Sequence, residues 1–206
     1  MQATLSAGSA ILTASFIGSC NAFKRWGYQG FRRDRWQHPE EVIHALQIRT
    51  GERVAEIGPG GGYFTFRLAD EVGRDGRVYA VDTDEGMVDY IRERADAEAY
   101  RNVEAILATP DNPGLGVGTV DLVFSCNAYH HIMDPISYFA RVRQSLRPGG
   151  RVAIIDHKSE GLFARLFGHA TDVTVLRKQM RDAGYELKHE YTFLSRQEFL
   201  VLAPQS

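Results

Sequence analysis

Glu56 stands two places before the first of three glycines at alternate positions, Gly58, Gly60 and Gly62. Glycine reaches positive φ and has no Cβ, so this spacing lets a ligand lie against bare backbone. The run just before it holds Val54, Ala55 and Ile57 and is short and apolar enough for a buried strand. Residues 63–72 read as a helix with Phe64, Leu68 and Ala69 on one face. Strand, glycine turn and helix together aim backbone N–H groups at a ligand. A dinucleotide fingerprint, G-x-G-x-x-G, would need its third glycine where Tyr63 stands.

Asp82 closes the next apolar run, RVYAVD, at a spacing close to the ~20 residues expected of an acidic side chain that accepts from ribose hydroxyls. The alternative for Asp82 is a helix N-cap, a role that Thr83 or Asp84 can take instead. A third short strand, residues 103–107, runs into a loop where Asp111 is a candidate contact for a nucleobase, with a simple turn as the other reading. VDLVFSC, residues 120–126, is the fourth strand, and Asn127, Tyr129, His130 and His131 follow it. Ligands of open α/β sheets sit outside the carboxyl ends of the strands. Asn127 is therefore assigned to the cofactor, Tyr129 and His130 to the substrate, and His130 or His131 to proton transfer, one of the two facing the cleft and the other supporting the loop. His130, His131, Asp134 and His157 lack metal-ligand spacing, and no metal is expected.

The elements that must hold these groups follow a regular order. Pro39 opens a helix with Val42, Ile43, Leu46 and Ile48 on its apolar side, ended by Gly51. Pro135 opens another, with Ile136, Phe139, Ala140, Val142 and Leu146 facing the sheet. Arg147-Pro148-Gly149-Gly150 is a turn before a fifth strand, residues 151–156. A helix over residues 173–183 precedes two strands, 185–193 and 198–203, too close in sequence for a crossover and hence an antiparallel hairpin. The apolar segment 161–168 is read as a hydrophobic wall for substrate, with core packing as the other reading.

Glu56-x-Gly58-x-Gly60-x-Gly62, Asp82 and LRPGGRVAIID together resemble the motifs of the class I S-adenosylmethionine-dependent methyltransferases, over roughly residues 34–203. The resemblance implies a doubly wound α/β domain with a seven-stranded, mostly parallel sheet and an antiparallel C-terminal hairpin. It implies S-adenosylmethionine as cofactor, its methionine end held by Glu56 and the Gly58–Gly62 turn and its ribose by Asp82. The chain lacks the Asn-Pro-Pro-Tyr or Asp-Pro-Pro-Tyr signature of amino-methylating nucleic-acid enzymes and the cysteine cluster of arsenite methyltransferases. The acceptor expected from this is a small, partly apolar molecule. The alternatives are a cofactor-binding sensor or partner subunit, and, disfavoured by Tyr63, a nicotinamide-dependent oxidoreductase.

Composition agrees with a single globular domain. A net charge of −2 and a pI near 6.4 give no basic surface for nucleic acid. Cys20 and Cys126 form no disulfide framework. Residues 1–33 are read as an N-terminal segment, basic and aromatic from Lys24 to Arg35, either a flexible arm or a lid over the cleft. Residues 7–17 are mildly apolar but too short to span a bilayer, so no stable membrane insertion is expected. Ile17-Gly18-Ser19-Cys20 resembles a lipoprotein cleavage box, yet no Lys or Arg precedes Lys24, and a cytoplasmic location is expected over an exported or lipid-anchored one.

Overall fold

The computed structural model describes residues 33–159 and 171–205. The expected N-terminal lid or arm, the cleavage box and the hydrophobic wall over 161–168 lie outside the described residues.

Two helices lead in: α1 (Asp34–Gln37) and α2 (Pro39–Leu46). Then come β1 (Arg53–Ile57), α3 (Thr65–Val72), β2 (Arg77–Asp82), α4 (Glu85–Ala97), β3 (Val103–Leu107) and β4 (Val120–Cys126). A single 3-10 turn (Tyr129–His131) leads to α5 (Pro135–Ser145), β5 (Leu146–His157), α6 (Val173–Asp182), β6 (Tyr185–Tyr191) and β7 (Gln197–Pro204). The seven strands form one sheet in the order β3-β2-β1-β4-β5-β7-β6. β1 pairs in parallel with both β2 and β4, and β7 runs antiparallel to β5 and β6. The order reverses between β1 and β4, the switch point at which a doubly wound sheet opens a crevice.

Alternate strand residues build one core on each face, as period-2 geometry requires. Leu122 and Phe124 of β4 face Val42, Leu46 and Leu68 of α2 and α3. Val123, with Val152 and Ile154 of β5, faces Phe139, Val142 and Met180 of α5 and α6. Both faces are covered, which explains near-continuous apolar strands instead of an alternating pattern.

Several local expectations are corrected. α2 stops at Leu46, where Gln47 takes the left-handed cap conformation, φ 51°, and Gly51 sits in the following turn. α3 starts at Thr65, two residues later than expected, because the glycine turn extends through Phe64. On α5, Ile136 and Ala140 point outward and Tyr138 takes a core position with Phe139 and Val142. Arg147–Gly150 is a bulge within β5: the register passes from Val120↔Leu146 to Leu122↔Arg151, and the extra residues loop out around Gly149, φ 79°. Among the described residues no helix is long and apolar enough to cross a membrane.

Candidate functional site

The glycine turn leaves β1 at the switch point. Gly58 has φ 69°, and a Cβ there would lie 2.5 Å from the Cβ of Ala128, in the turn that leaves β4. Gly60 also has positive φ, and its N–H donates to the carboxylate of Asp82. Gly62 serves packing: a Cβ there would meet the Phe66 ring at 2.6 Å and Ile91 Cδ1 at 2.7 Å, inside the α3–α4 contact. Gly62 lines neither cavity described below.

Two cavities meet over this turn. The first, about 340 Å³, is lined by Asp82, Met87, Pro110, His131 and Tyr138. The second, about 280 Å³, is lined by Arg33, Trp36, Glu56, Tyr63, Cys126 and His157. Gly58, Gly60 and Asn127 belong to both. Each volume is near the small end of small-molecule sites.

Asp82 ends β2 and accepts from the backbone N–H of Asp84 at 3.0 Å. Burial holds its carboxyl above the usual range, against the pull of N–H bonds from Asp84, Thr83 and Gly60. Asp84 is the helix cap, accepting from Gly86 N at 2.9 Å and Met87 N at 3.3 Å. Asp82 lines the first cavity.

Glu56 is 2% exposed, and its Oε2 accepts from Thr65 Oγ1 at 2.5 Å. Burial pushes its carboxyl up to about 7, against the Thr65 hydrogen bond and the charge of Arg33. Such a group takes a cationic partner readily. Beside it, burial pushes the Cys126 thiol up to about 12, which rules out a thiolate nucleophile at neutral pH. The guanidinium of Arg33 stacks 3.8 Å from the centroid of Tyr63, whose hydroxyl donates to Asp34 at 2.5 Å.

The two adjacent histidines differ sharply. His131 lines the first cavity. The side chain of His130 is 6% exposed, and its Nδ1 lies 2.7 Å from Oδ1 of buried Asp156 at the end of β5. Tyr129 is corrected: it is 1% exposed, stacks on Phe139 at 5.5 Å, and donates to Gln179 Oε1 at 2.8 Å. Its ring belongs to the core, so it does not present a surface to substrate. Asp111 is also corrected: it is exposed, accepts from Thr109 Oγ1 at 2.7 Å, and the first cavity takes Ala108, Thr109 and Pro110 instead. Among the described residues no three His, Cys, Asp or Glu side chains group as metal ligands.

Sequence reasoning assigned no site role to Trp36, Cys126 or Gln197, and treated Tyr63 only as the residue that breaks a dinucleotide fingerprint. Trp36 and Tyr63 line the second cavity, as does His157, which had been weighed only as a metal ligand. The basic-aromatic character of residues 24–35 was the signal, since Arg33 stands at its end and Trp36 just beyond.

A seven-stranded sheet of this order, with a glycine turn after β1 and an acid ending β2, is the fold of class I S-adenosylmethionine-dependent methyltransferase domains. Residues 54–150 match the family model described as a methyltransferase domain, and S-adenosylmethionine is the cofactor of that family. The chain is 29% identical over 142 residues to an aklanonic acid methyltransferase of Streptomyces sp. (strain C5), covering 69% of this chain and 63% of that protein. It is 34% identical over 125 residues to an uncharacterized methyltransferase of Mycobacterium tuberculosis, covering 61% of this chain and 48% of that one. The structure superposes on a SAM-dependent methyltransferase from Aquifex aeolicus with a TM-score of 0.80 at 23% identity, over 87% of this chain and 96% of the other.

The residues present fit the cofactor. Asp82 offers a half-buried carboxylate at one end of the paired cavities and Glu56 a buried one at the far end, with Cβ-free backbone at Gly58 and Gly60 between them.

Proposed function

We propose that this chain transfers a methyl group from S-adenosylmethionine to a small, partly apolar acceptor. The observation that carries this is the pair of cavities joined at Gly58, Gly60 and Asn127, one ending at Asp82 and the other walled by Trp36, Tyr63 and Phe64. Asp82 accepts from the ribose hydroxyls, and Glu56 with the turn at Gly58 and Gly60 holds the amino-acid end. The acceptor lies against the aromatic wall of the second cavity. When bound, S-adenosylmethionine supplies an electrophilic methyl group on a sulfonium. The protein's own task is then to align the partners and exclude water, a contribution worth ~7–11 kcal/mol in well-oriented systems. The relative named for aklanonic acid supports a small-molecule acceptor.

His157 lines the second cavity and is placed to accept a proton where the acceptor carries one. His131 is the candidate on the side of the first cavity, and His130 orders the loop through Asp156.

The test is a methyl-transfer assay with isotope-labelled S-adenosylmethionine on a panel of small hydroxylated, carboxylated and aromatic acceptors. Trp36→Ala should raise the KM for an active acceptor at least several-fold while leaving S-adenosylhomocysteine affinity within about twofold. Tight cofactor binding with no transfer to any acceptor would favour a sensor or partner-subunit role.

A further inference from the structure

Four side chains from three parts of the chain form a relay with a buried centre. Arg33 Nε donates to Gln37 Oε1 at 3.3 Å. Gln37 Nε2 donates to Gln197 Oε1 at 2.7 Å, and Gln197 Nε2 donates to Asn127 Oδ1 at 2.6 Å. Gln37 and Gln197 are 0% and 1% exposed.

The direction of this relay is fixed at its first member. A guanidinium has donors only, so the atom of Gln37 that meets it must be the oxygen. That leaves the Gln37 amide N–H for Gln197, and the same step repeats to Asn127. Turning any one amide over would set two donors or two acceptors face to face in a buried place. Asn127 must therefore receive with its oxygen, which leaves its NH₂ as the group available to a ligand. Asn127 lines both cavities, and the left-handed backbone at this residue, φ 59°, is one that Asn tolerates. Among the described residues the NH₂ has no hydrogen-bond partner.

We propose that Arg33, Gln37 and Gln197 are positioning residues that hold Asn127 as an obligate hydrogen-bond donor to the carboxylate of the cofactor's amino-acid end. This rests on the S-adenosylmethionine reading above. The charges of the second cavity agree with it. An amino acid carries an ammonium, matched by Glu56, and a carboxylate, matched by the cation of Arg33 and by a neutral donor at the junction. The relay also ties α1 and the start of β7 to the cofactor cleft, two elements far apart in sequence.

The test is calorimetric titration of the full chain with two ligands, S-adenosylhomocysteine and 5′-methylthioadenosine. The second shares the nucleoside and sulfur and lacks the amino-acid end. In Gln197→Glu the carboxylate still accepts from Gln37 but cannot donate to Asn127, so the Asn127 amide turns over and presents its oxygen. Asn127→Asp still accepts from Gln197, keeps the left-handed backbone accessible, and removes the donor. Both variants should weaken S-adenosylhomocysteine roughly 10- to 100-fold, the range for hydrogen bonds to charged groups, and shift 5′-methylthioadenosine by less than about twofold. Unchanged S-adenosylhomocysteine affinity in both variants would overturn the proposal. An equal loss for both ligands would also overturn it, since that is the signature of a scaffold. Failure of the unmodified protein to bind either ligand would instead overturn the cofactor reading, and the relay's role with it.

Discussion

Glu56 links cofactor binding to pH in a way that can be measured directly. Burial pushes its carboxyl up to about 7, so below neutrality the group is mostly protonated in the free protein. An ammonium seated beside it favours the ionised form, and binding must then expel the proton. Apparent affinity for S-adenosylhomocysteine should rise about eightfold between pH 5.5 and 6.5 and level off above about 8. At pH 6 about 0.9 proton should leave per ligand bound, visible as a binding enthalpy that differs between buffers of different ionisation enthalpy. The stability of the free protein runs the other way. The folded carboxyl lies above its unfolded value of 4.5, so its contribution is complete below that value and is lost as pH rises through about 7. A shift of this size is on the order of 3 kcal/mol. Glu56→Gln should flatten both profiles and lower the high-pH affinity roughly 10- to 100-fold. Equal binding enthalpies in the two buffers, with a flat affinity profile that Glu56→Gln leaves unchanged, would refute the placement of the ammonium.

The remaining predictions concern the turn and the histidines. Gly58→Ala imposes a left-handed backbone on alanine and sets its Cβ 2.5 Å from Ala128, so stability should fall by ~1–3 kcal/mol, with loss of S-adenosylhomocysteine binding. Adding Ala128→Gly should restore part of both; no recovery would mean that backbone strain alone is responsible. His130→Ala removes the imidazole that meets buried Asp156 and should cost ~1–3 kcal/mol in denaturant unfolding, whereas an unchanged midpoint would show that the contact adds nothing to stability. His157→Ala and His131→Ala should leave stability nearly intact. For the one that accepts a proton, the maximal rate should drop roughly 10²–10⁴-fold and no longer rise with pH; full turnover in both would exclude imidazole as the base.

Much of this architecture was legible because local and global signals agree. β1, β2 and β4 are short, mainly apolar runs, and Gly58, Pro135 and Gly184 mark where elements begin or end. The sequence left the cap open among Asp82, Thr83 and Asp84, and the structure gives it to Asp84, immediately before α4. What could not be read was side-chain direction in irregular backbone. Tyr129 follows β4 as closely as His131 does, yet the 3-10 turn sends its ring into the core and His131 to the cleft. Asp111 failed for a similar reason: a Thr109↔Asn112 bridge folds the loop back on itself and leaves the carboxylate outside. The second cavity was hidden because its walls, Arg33, Trp36, Tyr63 and His157, come from segments that meet only in the folded chain. The relay from Arg33 to Asn127 has no local signature, since its longest step spans 160 residues.

The carboxyl ends of β1, β4 and β5 share one further property. Each carries a buried polar residue in an otherwise apolar strand: Glu56, Ser125 and Asp156, none more than 2% exposed. Ser125 sits between Ile57 of β1 and Ile154 of β5 in the ladder, and its Oγ finds no hydrogen-bond partner among the described residues. One oxygen of Asp156 is in the same position. An unsatisfied buried hydroxyl costs roughly 1–3 kcal/mol relative to an apolar atom in its place. Ser125→Ala removes that hydroxyl and keeps the Cβ, so the protein should gain about 1 kcal/mol, read as a higher denaturant midpoint at unchanged slope. A loss of stability would show that the hydroxyl is satisfied by water, and the account of an unsatisfied group would fall. A gain would mean that the strand ends beside the cleft are held below their best attainable stability. Glu56 supports that expectation from an independent direction, because its burial is destabilising above pH 7 until a cation arrives. Stability is surrendered where the first and second cavities open, and the apolar remainder of β1, β4 and β5 supplies the packing that allows it.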